Sequence, residues 1–587
     1  MKKLINRVDD VVPEMLAGLA LCNPGVLLLE GHTIALRADV QALKGRGEVA
    51  LISGGGAGHE PAHAGYIGPG LLTGAVSGDV FTSPSTDAVL AAIDAVAGPA
   101  GVLLIVKNYT GDRLNFGLAA EIARSKGHQV EMVVVADDAA LTARGDHAGR
   151  RGLAGTVFVH KVAGAAAAAG LSLEQVRAAA ENAIDSISTL GVALSSCTVP
   201  AAGTPSFELG EDEIELGLGI HGEAGVRRTR IEAVDQLVPR MLQTLREDRG
   251  LQAGDRVALL ANNLGGTPSL ELSIVAGAAL RELAAQGVVV ERAWAGTFLT
   301  ALEMAGVSLT LMTLDDALLA ALDAPTQASA WPAPHLGRVS PPVPSGTGIS
   351  KVSDKQAASS NPNYNTAQGT SAANDTSNSP TAQALLAIAS ILEHAEPELT
   401  RMDQLVGDGD LGLSLARGAR ALREALPGYP SHDLPATLRA LSSTLRRSLG
   451  GTSGPLYAIG LLRAAQSLEQ HPGDGAAALA AAAEGIQDVG GAREGDRTML
   501  DAMIPAARAW ASCTAPSPAE GARMAADAAD LGCASTASTV ARRGRSSYLG
   551  ERALGHADPG AKAVALWLQA LAGHMPSQPS TPSGVAP

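Results

Sequence analysis

Val49-Ala50-Leu51-Ile52-Ser53-Gly54-Gly55-Gly56-Ala57-Gly58-His59-Glu60-Pro61-Ala62-His63 joins a short apolar run directly to a glycine-rich turn. Four apolar residues followed by Ser53 and three glycines read as a buried strand that gives way to a loop at Ile52. Short β-rich runs recur at Val102 to Val106, Val130 to Val135, Val257 to Leu260 and Val288 to Val290. Helical stretches such as Asp87 to Val96 and Leu173 to Ala183 lie between these runs. Strands alternating with helices predict an α/β domain over residues 1–335, with ligands held beyond the strand C-termini. A turn-rich acidic stretch near 198–215 suggests two subdomains within it.

The remainder of the chain reads differently. Residues 338–380 are rich in Ser, Asn, Thr, Gly and Pro and have no periodic apolar face, so 336–380 is assigned as a flexible linker. A coil of roughly 40 residues spans ~35 Å, enough to bring two halves together within one chain or across a dimer. From 381 to 573 the apolar period is helical throughout, which predicts an all-α domain. Residues 574–587 are expected to be a disordered tail.

Composition bounds the function. The 587 residues are 46% hydrophobic but 3% aromatic, so Ala, Val and Leu must fill the cores. A net charge of −15 argues against a broad nucleic-acid footprint or an anionic membrane surface. It leaves room for a locally positive phosphate site. Cys22, Cys197, Cys513 and Cys533 form no CxxC pair, as expected of reduced thiols. With no apolar run of spanning length and no leader-like start, the expectation is a soluble, cytoplasmic protein.

Several motifs could carry chemistry, and each has a plainer reading. His59-Glu60-Pro61-Ala62-His63 formally matches HExxH, the zinc-protease signature. That motif needs an uninterrupted helix, which Pro61 and the glycines before it oppose. His59 reads instead as a ligand-loop histidine or as part of a structural turn. Lys107, Asp112 and Arg113 are expected on one short loop, either as a surface ion-pair set or as groups that hold and deprotonate a substrate hydroxyl. His221, in Gly219-Ile220-His221-Gly222-Glu223, is a lone histidine of the kind that is usually structural. Met402-Asp403-Gln404-Leu405-Val406-Gly407-Asp408-Gly409-Asp410-Leu411-Gly412 brings three carboxylates together. It is either a solvated acidic turn or an oxygen-only site for Mg²⁺ or Ca²⁺, with glycines that let amides approach phosphate. An EF-hand is excluded because Ala419 stands twelfth from Asp408.

In order along the chain, ISGGGAGHEPAHAG, VKNYTGDRLNFGLAAE, GIHGE, GDGDLG, GGTSGPLY, GDRTMLDA and SSYLGERALGHADPGA resemble the single-chain, ATP-dependent dihydroxyacetone kinase family. The resemblance covers both halves, roughly 10–335 and 380–572. It implies a substrate (K-type) α/β domain and an all-α helical-barrel nucleotide (L-type) domain. It further implies that His221 holds the substrate carbonyl as a covalent hemiaminal, with His59 and Asp112 as acid/base groups. Gly56, Ala57, Gly58, His59, Lys107 and Asp112 would bind the triose. Asp403, Asp408 and Asp410 would hold Mg²⁺. ATP would be met by Leu411, Gly412, Leu413, Ser414, Thr452, Ser453, Gly490, Thr498, Met499, Arg545, Asp558, Pro559 and Gly560.

The family often has His or Cys where this chain has Leu411, a harmless change if the contact is made by backbone. Both halves in one chain imply ATP as donor, since relatives split into subunits use a phosphoprotein relay. The resemblance also suggests a homodimer. It leaves open a glyceraldehyde or other short-ketose kinase, and a lyase forming cyclic FMN from FAD. A non-catalytic ketose-binding regulator is the rival from another class.

Overall fold

A computed structural model describes residues 2–141, 149–205, 207–223, 225–332, 379–407, 409–430, 432–513 and 517–575. The assigned linker lies almost wholly outside these residues, as do Asp408 and most of the assigned tail. At the linker's end, however, Ser379 caps a helix, Pro380–His394, by accepting from Ala382 N, so the helical half begins at Pro380.

The first half carries two six-stranded sheets. The first has strands β1 (Val26–Leu28), β2 (Ile34–Arg37), β3 (Ala50–Ala57), β4 (Gly74–Val80), β5 (Val102–Lys107) and β6 (Val130–Val135), in the order β1-β2-β4-β3-β5-β6. Its β4, β3, β5 and β6 run parallel, so the ends of β3 and β5 open on the same edge. The second has β7 (Ile187–Ala193), β8 (Glu213–Leu216), β9 (Arg227–Arg230), β10 (Arg256–Asn263), β11 (Val289–Gly296) and β12 (Gly306–Thr313), in the order β11-β10-β12-β7-β8-β9. The two subdomains share a core. Leu51 and Leu103 of the first sheet and Leu260 and Met312 of the second belong to one buried cluster with Val157 and Phe158. The rings of Phe158, Trp294 and Trp331 meet there at centroid distances of 5.4 to 6.2 Å.

β3 corrects the reading of the opening stretch. The strand continues through the glycines to Ala57 and is buried along its whole length. Glycine is required there by the closeness of its neighbours. A Cβ on Gly54 would lie 2.3 Å from Val76 O. Lys107 is the last residue of β5, and Asp112 and Arg113 lie in the first turn of helix Thr110–Ser125, so the expected single loop does not exist.

The second half is all helical among the described residues. Helices Leu411–Ala425, Leu434–Ser448, Ser453–Gln470, Gly475–Gly490, Leu500–Ala511, Pro518–Ser535 and Pro559–Ala572 each pack on the next, and Gly475–Gly490 also reaches Pro518–Ser535. The ring closes because Pro380–His394 packs against both Leu411–Ala425 and Pro559–Ala572, which makes a helical barrel. Its core is largely alanine, including Ala482, Ala506, Ala525, Ala529 and Ala565, and small side chains let the helices approach closely.

The halves touch directly. Arg446 pairs with Asp87 at 3.1 Å, Arg417 pairs with Asp79, and Arg552 reaches Glu215 at 3.2 Å. No helix among the described residues is long and apolar enough to cross a membrane.

Candidate active site

On the α/β side, the ends of β3 and β5 and the start of helix Thr110–Ser125 converge. Lys107 and Asp112 are both buried. They meet over Gly55, where an added Cβ would lie 2.7 Å from Lys107 Nζ and 3.5 Å from Asp112 Oδ2. Burial draws the Lys107 pKa down from its usual value, and the charge of Asp112 opposes that shift. Lys107 Nζ donates to His63 Nε2 at 2.9 Å, so His63 carries its proton on Nδ1 and donates to His160 Nε2 at 3.0 Å. Both histidines are held neutral by burial and by the nearby Lys107 charge.

His59 and His63 therefore diverge. His59 Nδ1 donates to Thr300 O at 2.8 Å. Residues 59–63 form a turn rather than a helix, so the HExxH reading fails on geometry.

His221 lies in the loop after β8, buried among rings. Its centroid is 4.3 Å from Tyr109, 4.8 Å from His59 and 5.4 Å from Phe81, each edge-on. Its main-chain N–H donates to Glu223 Oε2 at 2.7 Å. Glu223 in turn faces Arg151 at 3.5 Å, and Arg151 is paired with buried Asp138 at 2.7 Å. Arg151 also donates to Gly217 O, so this charged chain pins the loop from both ends. Nothing in the spacing of the sequence links Arg151 or Asp138 to His221.

On the helical side, Asp403 sits in the last turn of helix Glu396–Val406. Its Oδ2 accepts from Asp410 N at 3.0 Å and Leu411 N at 3.2 Å. Asp410 immediately precedes helix Leu411–Ala425, so the segment is not an extended loop through Gly412. Burial first, and the charge of Asp403 second, push the Asp410 pKa well above the ordinary carboxylate range. Asp410 Oδ2 accepts from Thr82 Oγ1 of the other half at 2.6 Å. Among the described residues no group of three or more His, Cys, Asp or Glu side chains could hold a metal ion, and Asp408 is not one of them.

A single cavity of about 210 Å³ joins the two sides. Gly56, Asp112 and His221 line one end; Asp403, Asp410, Leu411, Ser414, Thr452, Ser453, Gly490, Thr498, Met499, Asp558, Pro559 and Gly560 line the other. The N-termini of four helices, beginning at Leu411, Ser453, Leu500 and Pro559, open into it. Their amides and dipoles favour an anion.

Ala57, Gly58, His59, Lys107, Gly412 and Leu413 are not in the cavity wall. Gly412 serves packing, since a Cβ there would be 2.4 Å from Glu396 O. Arg545 begins a 3-10 segment, and its side chain is outside what is described. Arg497, which the sequence reading passed over, lines the cavity with a left-handed backbone (φ 63°). Its guanidinium donates to Thr536 O, Ala553 O and His556 O, binding the segment before Asp558 to the Thr498–Met499 turn.

Asp558 caps helix Pro559–Ala572 by accepting from Ala561 N at 2.8 Å, and burial pushes its pKa up to about 7. A carboxyl whose folded pKa is raised binds its proton more tightly in the folded state. Its contribution to stability is therefore lost as pH rises from about 4 to about 7. Asp558→Asn keeps a capping oxygen and removes the buried charge. The expected result at pH 8 is a gain on the order of a few kcal/mol in urea unfolding, shrinking to near zero at pH 4.

A cavity with a buried carboxylate and a histidine at one end and phosphate-favouring helix ends at the other is what a two-domain kinase that binds ATP would present. The Dak1 domain matches residues 17–330 and the DAK2 domain residues 405–573, so the chain belongs to the dihydroxyacetone kinase family. The chain is 46% identical over 583 residues to triokinase/FMN cyclase of Homo sapiens, covering 97% of this chain and 98% of that one. It is 50% identical over 317 residues to the dihydroxyacetone-binding subunit of a PTS-dependent dihydroxyacetone kinase of Listeria innocua, covering 54% of this chain and 95% of that one. Among solved structures, the dihydroxyacetone kinase of C. freundii in complex with AMP-PNP and Mg²⁺ matches at 36% identity and a TM-score of 0.52, covering 97% of this chain and 99% of that one.

Proposed function

We propose that this kinase transfers the γ-phosphoryl group of ATP to a hydroxyl of dihydroxyacetone, giving dihydroxyacetone phosphate and ADP. The observation that carries the reading is the continuous cavity from His221 and Asp112 to Asp410 and the helix N-termini. A ring nitrogen of His221 attacks the ketone carbon, and the carbonyl oxygen takes up a proton, giving a hemiaminal that fixes the triose. Asp112 then accepts the proton of the hydroxyl that receives phosphate, while Lys107, outside the cavity wall, lies beside that carboxylate over Gly55 and balances its charge. His59, outside the cavity wall but edge-on to His221, would act on the substrate only through that histidine.

Two adjacent carboxylates, buried Asp403 and partly buried Asp410, at a helix start fit a hard cation, because their oxygens call for a compensating positive charge. With Asp408 they would hold Mg²⁺, which neutralises triphosphate charge when bound. Thr452, Ser453, Thr498 and Asp558 to Gly560 position the nucleotide, with Arg545 as a further nucleotide-binding residue. The accompanying reading is a cytoplasmic homodimer, which sedimentation of the purified chain would test.

The test of the main reading is a coupled assay for dihydroxyacetone phosphate with ATP. Glycerol, which has no carbonyl for His221, should give no product. ATP turnover that does not rise with added ketone would favour the non-catalytic regulator. The relation to triokinase/FMN cyclase along nearly the whole chain supports a second activity at the nucleotide site, cleavage of FAD to cyclic FMN and AMP. Incubation with FAD and analysis for cyclic FMN decides that.

A further inference from the structure

The reaction proposed above requires two domains to hold their reacting groups in fixed register, and one contact between them close to the chemistry is made by a residue with no assigned role. Asn115 is fully buried one turn into helix Thr110–Ser125, three residues after Asp112. Its Nδ2 donates to Gly451 O of the helical half at 2.7 Å and to Gly111 O at 3.1 Å. Its Oδ1 accepts from Thr86 Oγ1 at 2.9 Å. This arrangement fixes the amide's orientation, since the reverse would set its oxygen against two carbonyls.

The same Gly451 residue is held from its other side, because its N–H donates to Ser83 O at 3.0 Å. One residue of the nucleotide half is thus gripped at both of its main-chain polar groups by the substrate half. The seat fits only glycine. A Cβ on Gly450 would lie 2.6 Å from Ser83 O, and one on Gly111 would lie 3.0 Å from the Gly451 carbonyl carbon. Gly451 itself is left-handed at φ 64°. Asp112 follows Gly111 directly, and Thr452 and Ser453, the start of helix Ser453–Gln470, follow Gly451 directly. The grip therefore sets the distance between the base and the phosphate-binding helix end from a residue, Asn115, that is not itself in the cavity wall.

We propose that Asn115 is a positioning residue that, with Ser83 O, clamps Gly451 and so holds the phosphate-binding helix end in register with Asp112. The clamp differs in kind from the ion pairs Arg446–Asp87 and Arg552–Glu215, which draw the halves together elsewhere through charged side chains. Those pairs leave long side chains free to adjust, whereas a buried amide on a helix admits one geometry. A displacement of the order of 1 Å at this distance from the chemistry costs about 10²-fold in rate. The inference rests on the phosphotransfer reading for its kinetic consequence, but the clamp itself can be measured without turnover.

The experiment uses the full chain with Asn115→Asp, which keeps the shape and the acceptor for Thr86 but removes the donor to Gly451. Asn115→Ala serves as a second variant, should the introduced charge unfold the first. Hydrogen exchange at the 449–453 segment, without ligands, should quicken about tenfold or more as the partner of Gly451 is lost, while exchange in β5 stays at its wild-type rate; some fall in melting temperature accompanies either variant, because Gly111 O and Gly451 O lose a buried donor. With dihydroxyacetone and ATP, kcat should fall roughly 10- to 100-fold with KM for the ketone unchanged and labelled ketone still retained on the protein. Unchanged exchange at 449–453, or kcat within twofold of wild type in an active enzyme, overturns the clamp. So does a loss of kcat matched by a loss of ketone capture, because a purely structural role would produce it. If the wild-type chain phosphorylates no ketone, the functional reading falls, and the exchange result alone decides the clamp.

Discussion

His221→Ala is expected to lower kcat/KM for dihydroxyacetone on the order of 10³-fold and to abolish retention of labelled ketone on the protein. The fold should tolerate the change. The loop is held by the main-chain N–H of residue 221 on Glu223 and by Arg151 on Gly217 O, and neither bond uses the imidazole. The missing ring leaves a gap among Tyr109, His59 and Phe81, at the closed end of the cavity. The nucleotide end contains no atom of His221, so MgATP affinity measured by calorimetry should match wild type. What is lost is the fixing of one substrate rotamer with its hydroxyl at Asp112. Discrimination against glycerol should shrink as well, since it depends on a carbonyl being captured. A variant with wild-type kcat/KM would sink the hemiaminal assignment outright.

The parts of this fold that could be read from sequence share a physical cause. β5 and β6 have their faces covered by helices, so their apolar runs are nearly continuous, and the strand at Val130–Val135 is legible to the residue. One edge strand of the second sheet, β9, carries no such mark. β9 is Arg227-Arg228-Thr229-Arg230, largely exposed, and is a strand only because it pairs with β8. β3 misleads in the opposite direction, because glycine signals a turn unless close neighbours demand it within a strand. Helix Ser453–Gln470 opens with Ser453-Gly454-Pro455, which reads as loop although proline suits a first helical turn.

The candidate site divides in a similar way. Residues in compact motifs, such as His221 or Asp558, could be singled out from local chemistry. Thr82, Ser83 and Asn115 act through contacts with residues more than 300 positions away, for which no spacing rule exists. Arg497 is hidden for another reason. Its role is to tie together carbonyls of three separate residues, which only the folded chain brings near.

Asp410→Asn should separate stability from activity by moving them in opposite directions. Asp410 is partly buried beside Asp403, and the charged form suffers first from lost hydration and then from its neighbour's charge. A carboxyl with a raised folded pKa costs stability at a pH above that value, so the neutral amide should raise the melting temperature of the metal-free protein at pH 8. The advantage should disappear as pH falls towards 4, where the wild-type carboxyl is protonated in the folded state and its burial no longer carries a charge. The amide oxygen of the variant can still accept from Thr82 Oγ1, so contact between the halves need not be lost. Added MgCl₂ and ATP should stabilise wild type and leave the variant nearly unmoved, because an amide neither attracts nor neutralises a divalent cation as a carboxylate does. Turnover should fall roughly 10²- to 10³-fold, the effect of losing several kcal/mol of charge stabilisation on the transferring phosphoryl group. Ketone capture at His221 should persist, since that end of the cavity is built entirely from the other half. A variant that keeps its Mg²⁺-dependent stabilisation and its turnover would show that Asp410 holds no metal, and the carboxylate pair would then be a structural helix start alone.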